Sequence, residues 1–390
     1  MLKKTAVVGA GASGMMAAVT AASNGNPVTI FEHTLQPGKK LLLTGNGKCN
    51  FTNRDMSEAH FHSCSDDGHI GKVLKSFSAD DTIEFFSHAG LFTKEKNGCV
   101  YPYTDMSATV LSVLRSEMDR LRIKVVCDHH IDEISDPFII DGETFDCVIL
   151  AAGGKTFPKT GSDGSGFDIL KKLGCRIVKV LPALTSVSLS EDLSMLKGVR
   201  CRAALSLFIN GEKVQDSSGE LQPYDGGLSG ICAMDLSGLA IRALDEGADV
   251  YILCDFMPDM DEEELKAYIK RMKEDFPERN VNGWFEGIFA PKLLKYLLHP
   301  LDSRKEDFVS SVVDTIKRHR FCPDTKMCAD LSRAQTVSGG LSFSQVTPDL
   351  MLKDHPGIYV CGELLDVYGD CGGYNLQWAF SSGHTAGRLR

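Results

Sequence analysis

Residues 5–32 read TAVVGAGASGMMAAVTAASNGNPVTIFE, and this stretch decides the fold. An apolar run at residues 4–8 precedes three glycines, Gly9, Gly11 and Gly14, that are spaced as G-x-G-x-x-G. An alanine- and methionine-rich helical stretch follows to about residue 23, and residues 28–32 read as a second strand. The pattern predicts a β-α-β unit whose glycine-rich turn joins the first strand to the helix, as in dinucleotide-binding proteins.

Each part of this unit has a chemical reason. Glycines make the tight turn and let backbone amides approach a pyrophosphate, while the helix N-terminus adds partial positive charge. Glu32 ends the second strand, where its carboxylate is placed to accept hydrogen bonds from an adenosine ribose. Because that carboxylate would repel a 2′-phosphate, the unit favours FAD or NAD over NADP.

Three further stretches carry features of a cofactor site. Residues 37–50, PGKKLLLTGNGKCN, offer glycine turns, backbone donors and cationic side chains that are suited to a pyrophosphate and a flavin edge; the alternative is a solvated basic loop. Residues 148–154, VILAAGG, read as a buried strand that ends in small residues, and residues 161–166, GSDGSG, open another helix. Residues 372–377, GGYNLQ, start a helix whose N-terminus would stabilise an anionic reduced flavin ring.

Outside these motifs, secondary structure alternates. Residues 80–89 and 104–121 have helical spacing, whereas residues 123–126, 138–140 and 147–151 read as strands. After Pro182 the sequence pattern changes. It predicts strands at 186–189, 203–209 and 250–254 and amphipathic helices at 261–275 and 305–319. Residues 336–345 then lead to a strand at 357–362 and a final helix at 372–387. We therefore expect an insert of about residues 185–335 to interrupt one nucleotide-binding domain formed by residues 1–184 and 336–390.

Four stretches give the chain a family resemblance: GAGASG, LLLTGNGKCNFTN, ILAAGGKTFPKTGSDGSGF and GELLDVYGDCGGYNLQWAFSSGHTAG. The sequence resembles the bacterial FAD flavoproteins of the YhiN and BaiN type, also called NAD(P)/FAD-dependent oxidoreductases of the aminoacetone oxidase family. The resemblance implies an α/β fold, with a glutathione-reductase-like Rossmann FAD-binding domain interrupted by an inserted α+β domain, part barrel and part helical. The insert would be the substrate or cap domain.

The motifs and the resemblance together give a predicted cofactor site. Its expected FAD-binding residues are Gly9, Gly11, Ala12, Ser13, Gly14, Glu32, His33, Lys39, Lys40, Thr44, Gly45, Asn46, Gly47, Lys48, Cys49, Asn50, Ile131, Ala151, Ala152, Gly153, Gly154, Gly362, Glu363, Asp366, Gly373, Tyr374, Asn375 and Leu376.

Composition limits the class of protein. The 390 residues include 42 Lys and Arg against 52 Asp and Glu, which gives a formal net charge of −10 and disfavours a dedicated nucleic-acid binder. No window approaches the ~20 apolar residues of a membrane span, and the N-terminal glycines belong to the cofactor motif rather than to a signal peptide. We expect a cytoplasmic enzyme with a small-molecule substrate, no stable nucleic-acid partner and no membrane association; the sequence does not predict its oligomeric state.

Metal binding is not expected. The 13 cysteines are scattered without a Cys-x-x-Cys pair, which is typical of buried thiols in a reducing compartment. His and carboxylate side chains also do not fall at ligand spacing with a partner group.

The resemblance allows two reactions, and we favour reduction of an activated C=C bond, of the enone type found in steroid or bile-acid intermediates. NAD(P)H would be a transient electron donor, because the sequence has no second glycine fingerprint. The candidates for the proton donor are Tyr374, Cys49 and Tyr101, the last in a predicted turn at residues 98–102; each could instead serve packing or flavin positioning. Cys49 and Cys371 could alternatively form a redox pair, and His129 and His130, before a strand-like Ile131, suggest an adenine-side loop.

Three alternatives remain open at this stage. The first is oxidation of a small amine such as aminoacetone, with oxygen as acceptor and hydrogen peroxide as product. The second is flavin-dependent modification of RNA, which the acidic charge disfavours. The third is a non-catalytic flavin redox sensor, whose bound flavin no donor would reduce quickly.

Overall fold

The computed structural model describes residues 2–301 and 307–390. The chain divides into two compact units, Met1–Val180 with Gln335–Arg390, and Leu181–Ala334. The insert predicted at 185–335 lies almost wholly in the second unit; its role as a substrate or cap domain stays a prediction.

A five-stranded parallel sheet forms the centre of the first unit. Its order is Ile358–Val360, Cys147–Leu150, Thr5–Val8, Val28–Glu32 and Lys124–Cys127. All residues of the central strand Thr5–Val8 are buried, because parallel strands with crossover helices are covered on both faces. The predicted β-α-β unit is confirmed, with the helix Ala12–Ser23 between Thr5–Val8 and Val28–Glu32.

Helices and small sheets complete the first unit. Its helices are Ala12–Ser23, Lys39–Leu43, His69–Ser76, Ala79–His88, Ser107–Arg120, Ser165–Lys172 and Tyr374–Gly387. Its small sheets pair Thr52–Asn53, Cys99–Pro102 and Thr93–Lys96; Phe61–His62 and Tyr368–Gly369; Phe138–Ile140 and Glu143–Phe145; and Ile177–Ala183 and Thr336–Leu341. The helix Ala12–Ser23 is called the first helix below, and Tyr374–Gly387 the last helix.

Close backbone contact joins the first and last helices. A Cβ atom at Gly383 would lie 2.3 Å from the carbonyl oxygen of Ser13, and one at Gly387 would lie 2.4 Å from that of Ala17. Glycine on the last helix therefore lets the two helices touch backbone to backbone. This packing brings the C-terminal segment of the chain beside the N-terminal glycine motif.

The second unit is built on a six-stranded antiparallel sheet. Its order is Val187–Ser188, Gly227–Ser229, Glu212–Tyr224, Cys201–Ile209, Val250–Asp255 and His319–Phe321. A single bridge between Leu189 and Pro323 links the two edges of the sheet, which closes it partway into a barrel. Its helices are Ile231–Asp245, Glu262–Asp275, Val281–Phe285, Pro291–Leu298 and Phe308–Lys317. The predicted α/β class with an α+β insert is thus confirmed.

The structure corrects several local predictions. Residues 98–102, predicted as a turn, are mostly the strand Cys99–Pro102, because they pair with Thr93–Lys96 across a hairpin. Ile131 is not in a strand. It follows the strand Lys124–Cys127, which is an edge strand of the parallel sheet. The start of the helix predicted at 305–319 lies outside the described residues, and the described helix is Phe308–Lys317.

Several elements of the second unit were missed, and the longest two are a strand and a helix. The strand Glu212–Tyr224 is mainly polar, and its long pairing with Cys201–Ile209 rather than its composition forms it. The helix Ile231–Asp245 is buried on most sides, so its apolar residues show little amphipathic period.

Candidate functional site

The predicted glycine motif lies where the first strand ends and the first helix begins. Gly9 has a φ of +102°, and a Cβ atom there would lie 2.5 Å from the carbonyl oxygen of Ala151. A Cβ atom at Gly14 would lie 2.0 Å from the carbonyl oxygen of Gly9, whereas one at Gly11 would meet nothing within 4 Å. Gly9 and Gly14 thus serve the turn, and Gly11 leaves open space in front of the helix N-terminus.

Glu32 holds the glycine motif from the next strand. Its Oε2 accepts a hydrogen bond of 2.8 Å from the backbone N–H of Ala10, and its Oε1 accepts one of 2.7 Å from Thr34. Glu32 is 7% exposed. Its hydrogen bonds with two backbone N–H groups hold the carboxylate at the carboxyl end of the sheet. Each oxygen retains acceptor capacity for a ribose hydroxyl. His33 follows, with its Nε2 3.9 Å from Asp163 Oδ2.

The stretch 37–50, which we predicted to cradle a pyrophosphate and a flavin edge, contains regular structure. It forms the short helix Lys39–Leu43 and a tight turn at Thr44–Gly47 in which Gly45 and Asn46 have positive φ angles. Lys40 extends from this helix across the site, where its Nζ donates 2.8 Å to Thr156 Oγ1 and 2.6 Å to Glu363 Oε2. Lys39 is half-buried and Lys48 is exposed.

Glu363 is the common anchor of three segments. Besides Lys40, it accepts hydrogen bonds from Thr336 Oγ1 at 2.8 Å and from the backbone N–H of Gly154 at 3.3 Å. The side chains of Lys40 and Glu363 are 27% and 18% exposed. Two residues that were predicted separately as cofactor contacts therefore form an ion pair that joins the segments around 40, 154 and 363.

The N-terminus of the last helix closes the same region. Gly373 has a φ of +100°, and a Cβ atom there would lie 2.7 Å from the carbonyl oxygen of Thr52 and 3.0 Å from Asn50 Oδ1. The N–H of Gly362 donates 2.9 Å to Ser382 Oγ, which ties the predicted segment 362–363 to this helix. Asn375 accepts a hydrogen bond from the N–H of Gly369 at 2.9 Å.

The buried polar atoms around these segments fit a large polar ligand. Asn50 Oδ1, Ser162 Oγ and Asp366 Oδ1 are buried and have no hydrogen-bond partner among the residues that the structure describes. A Cβ atom at Gly153 would lie 3.4 Å from Ser162 Oγ, so that hydroxyl lies beside the predicted small-residue turn. Buried polar atoms require partners, and a dinucleotide with its phosphates, ribose and flavin ring supplies them. Together with the open space at Gly11, this arrangement fits FAD.

Asp366 is tied mainly to a neighbouring segment. Its Oδ2 accepts hydrogen bonds from Ser63 Oγ, the N–H of Cys64 and Ser65 Oγ, the last at 2.7 Å. Its predicted contact with the cofactor would therefore use Oδ1 alone.

The three predicted proton donors have different surroundings. Cys49 is fully buried, and burial raises the pKa of its thiol to about 11 although a hydrogen bond with Thr44 opposes this. Burial also raises the pKa of Tyr101, with Cys99 as a second cause. Tyr374 is 5% exposed and stacks on His60 with ring centroids 4.4 Å apart. Tyr374 is thus the candidate whose ring stacks on a histidine.

The redox pair considered for Cys49 and Cys371 gains no support. Neither Cys49 nor Cys371 forms a disulfide with a described residue, and the raised pKa of Cys49 opposes the thiolate that disulfide exchange needs. His129 packs on Phe31 at 5.1 Å, and His130 lies edge-on to His33 at 5.7 Å. These two histidines therefore lie beside the Glu32 end of the sheet.

One prediction about metals needs correction. Asp66, Asp67 and His69 do lie at ligand spacing, with one ligand atom of each within 4.8 Å of the others. Local bonds account for the group, since Asp67 accepts a hydrogen bond from His69 and Asp66 accepts one from the N–H of Ile70. Spacing along the chain missed it because the aspartates precede the helix that carries His69.

Sequence reasoning also missed a cluster of His60, His62 and Asp370. Asp370 Oδ2 lies 3.0 Å from His60 Nδ1, and its Oδ1 lies 2.7 Å from His62 Nε2. Asp370 follows the strand Tyr368–Gly369, which pairs with Phe61–His62. A His-x-His pair is the signal that could have drawn attention to it, but its carboxylate partner lies 310 positions from His60.

Comparisons with known proteins agree with this geometry. The family described as HI0933-like protein Rossmann domain matches residues 3–389. A 3-dehydro-bile acid delta(4,6)-reductase of Clostridium scindens is 34% identical over 405 residues, which cover 99% of this chain and 98% of that protein. A ribosomal RNA dihydrouridine synthase of Escherichia coli K12 is 27% identical, with 96% and 95% covered.

The fold is also similar to solved structures. The crystal structure of 3-ketosteroid-delta4-(5alpha)-dehydrogenase from Rhodococcus jostii in complex with 4-androstene-3,17-dione aligns with a TM-score of 0.50 and 14% identity, covering 99% of this chain and 96% of that one. At this identity the likeness concerns the fold. Within residues 2–301 and 307–390, no helix combines the length and the apolar character needed to cross a membrane.

Proposed function

The chain belongs to the HI0933-like Rossmann family and is an FAD-dependent oxidoreductase, and on that premise we propose that it reduces a C=C bond conjugated to a carbonyl group with electrons from NAD(P)H. The observation that carries the proposal is the 34% identity, over 99% of this chain, to a protein named as a 3-dehydro-bile acid reductase. A 3-oxo group conjugated to a C=C bond is the acceptor that such a name describes. We therefore assign an enone of steroid type as the substrate class.

In this proposal FAD supplies the hydride, and the residues of this chain hold the cofactor. The backbone at Gly11 and the N-terminus of the first helix bind the pyrophosphate, and the carboxylate of Glu32 binds the adenosine ribose. The N-terminus of the last helix, at Gly373 and Tyr374, would hold the flavin ring and stabilise negative charge on it. Asn50 Oδ1 and Ser162 Oγ gain the partners that they lack in the protein alone.

A second candidate shares the same chemistry. Relatives at 27% and 25% identity are named ribosomal RNA dihydrouridine synthases, and dihydrouridine is uridine whose carbonyl-conjugated C=C bond is saturated. Uridine in RNA would therefore suit the same flavin reaction. The net charge of −10 disfavours it, because binding of RNA draws mainly on cationic side chains.

An anaerobic stopped-flow experiment tests the proposal. The purified protein, followed in the visible flavin band, is mixed with NADH, NADPH or aminoacetone, and the bleached enzyme is then mixed with a 3-oxo-Δ4,6-steroid or with ribosomal RNA. We expect a nicotinamide to bleach the flavin and the steroid to restore its colour. Bleaching by the amine alone would identify an amine oxidase, and return of colour with RNA alone would identify the RNA enzyme.

Two further outcomes would also contradict the proposal. A bound flavin that no donor bleaches would indicate a redox sensor, and purified protein without flavin that fails to bind added FAD would overturn the cofactor assignment.

A further inference from the structure

Two histidines share one buried carboxylate beside the last helix. Asp370 is 8% exposed, and its two oxygens contact His60 Nδ1 and His62 Nε2. The N–H of Asp370 also donates 2.9 Å to the carbonyl oxygen of His60, so backbone and side chain fix the two residues to each other. The cluster is therefore held rigidly, in contrast to histidines on a solvated surface.

The cluster also contacts a predicted flavin-binding residue. The rings of His60 and Tyr374 lie nearly parallel, 22° apart, and Tyr374 directly follows Gly373 at the helix N-terminus. Phe61 packs edge-on to Tyr374 at 5.8 Å. Tyr374 covers one face of His60, so the ring has a defined orientation next to the segment assigned to the flavin ring.

The two nitrogens of His60 differ in their surroundings. Nδ1 faces the buried Asp370, whereas Nε2 lies 3.4 Å from Asp55 Oδ2, on a side chain that is 70% exposed. The side chain of His60 is 32% exposed. Its Nδ1 is fixed by the buried Asp370, and its Nε2 lies on the exposed side of the ring. This is the arrangement of a histidine that a carboxylate orients for proton transfer.

We propose that His60 is the proton donor of the reduction, through Nε2, and that Asp370 and Tyr374 are positioning residues for its ring. The inference rests on the proposed function. One carbon of the substrate C=C bond receives a hydride, and the former π electron pair forms a bond from the other carbon to the proton on Nε2. The N–H bond electrons stay on the imidazole ring, and a proton from solvent then restores the imidazolium.

The surrounding charges favour the protonated form of His60. Burial lowers the pKa of His60, but hydrogen bonds with Asp370 and Asp55 and the charges of both carboxylates outweigh it, and the pKa lies above its ordinary value. The other titratable groups nearby are His62, across Asp370, and the Tyr374 hydroxyl on the last helix. A donor whose pKa is raised keeps its proton to higher pH than a free imidazole and loses it as the pH rises through that pKa.

Reoxidation of the reduced enzyme by a 3-oxo-Δ4,6-steroid, measured across pH, tests the inference. For the wild type we expect the rate to fall on the alkaline side as His60 loses its proton. His60→Gln should slow the step by ~10²- to 10⁴-fold, the usual contribution of a general acid, and should abolish this pH dependence. Asp370→Asn should shift the alkaline limb to lower pH, because it removes the charge that raises the pKa of His60.

Controls separate a chemical role from a structural one. Flavin content reports whether each variant keeps its fold and cofactor, and His88→Gln changes an exposed histidine that ends the helix Ala79–His88. His88→Gln should keep the wild-type rate and pH profile. If His60→Gln loses its flavin, the shift of the alkaline limb in Asp370→Asn decides instead, since a purely structural His60 would give no alkaline limb that depends on the charge of Asp370.

The outcomes distinguish the two proposals. A wild-type enzyme that no enone reoxidises overturns the proposed function, and the role of His60 with it. A wild type that the enone reoxidises, beside a flavin-loaded His60→Gln with the same rate and the same pH profile, overturns only the role of His60. An unchanged alkaline limb in Asp370→Asn also contradicts the role of His60.

Discussion

At the scale of single residues, the fold changes what a motif residue does. Lys40 and Glu363 were both predicted as contacts to FAD, yet their side chains lie 2.6 Å apart in an ion pair that spans 323 positions. A charge that already has a partner contributes less to binding an anion than a free one, because its field is largely neutralised. We therefore expect the backbone amides at the helix N-termini to be the main donors for a pyrophosphate.

Two glycines of the motif should have different roles: Gly11 in binding FAD and Gly14 in folding. Gly11 has a φ of −76°, which alanine also adopts, and a Cβ atom there would have open space around it. The flavin-free Gly11→Ala protein should therefore keep the free energy of unfolding of the wild type. Its affinity for FAD should fall, because the methyl group occupies the approach of the pyrophosphate. Gly14→Ala should lower the free energy of unfolding by at least the ~1–3 kcal/mol of an overpacked core, since the clash is with backbone.

Urea unfolding of the flavin-free variants and titration with FAD measure the two effects. Wild-type affinity for FAD in a folded Gly11→Ala would show that the pyrophosphate binds elsewhere.

At the scale of elements, the last helix both positions the site and carries a buried histidine. His384 stacks on Phe77 with ring centroids 4.5 Å apart, and its Nδ1 lies 3.3 Å from Thr20 Oγ1 on the first helix. Burial, with a smaller contribution from Arg388, lowers the pKa of His384 to about 4, although Asp81 opposes this. The helix therefore packs in its native position with a neutral imidazole.

This histidine predicts an acid sensitivity. The unfolded chain takes up a proton on His384 as the pH falls below about 6.5, whereas the folded protein does so only near pH 4. The stabilising contribution is present above pH 6.5 and is lost progressively as the pH falls towards 4. In His384→Gln the free energy of unfolding, measured in urea across this range, should fall less steeply with acid.

The exposed His88 supplies the matched control, because His88→Gln should leave the wild-type pH dependence of unfolding unchanged. Equal slopes for the wild type and His384→Gln would show that the folded protein and the unfolded chain take up the proton on His384 over the same pH range, which contradicts the lowered pKa.

At the scale of the whole molecule, charge bears on the choice of partner. The chain carries 52 acidic against 42 basic side chains, so its field repels a polyanion at long range. We therefore expect no retention of ribosomal RNA in filter binding at low ionic strength, the condition that most favours electrostatic association. Retention that declines steeply with added salt would instead reveal a local basic surface and would favour the RNA substrate.

Much of the fold follows from local signals. Three signals were sufficient to predict a Rossmann-type sheet with an insert: the glycine motif, the apolar strands on either side of it and the change of sequence pattern after Pro182. Each of these signals depends on neighbouring residues, such as a turn that only glycine fits or a strand buried on both faces. The polar strand Glu212–Tyr224 escaped prediction because its partner strand, not its own composition, stabilises it.

The sequence by itself determined the dinucleotide motif, the acid at Glu32 and the family, since all three are encoded in short contiguous patterns. Only the tertiary structure decided that Lys40 pairs with Glu363 and that Asp370 lies between His60 and His62. Both contacts join residues more than 300 positions apart. Glu363 follows the strand Ile358–Val360 of the parallel sheet, and Asp370 follows Tyr368–Gly369, which pairs with Phe61–His62. No local pattern specifies such contacts, because they arise only when strands that are distant in the sequence have paired.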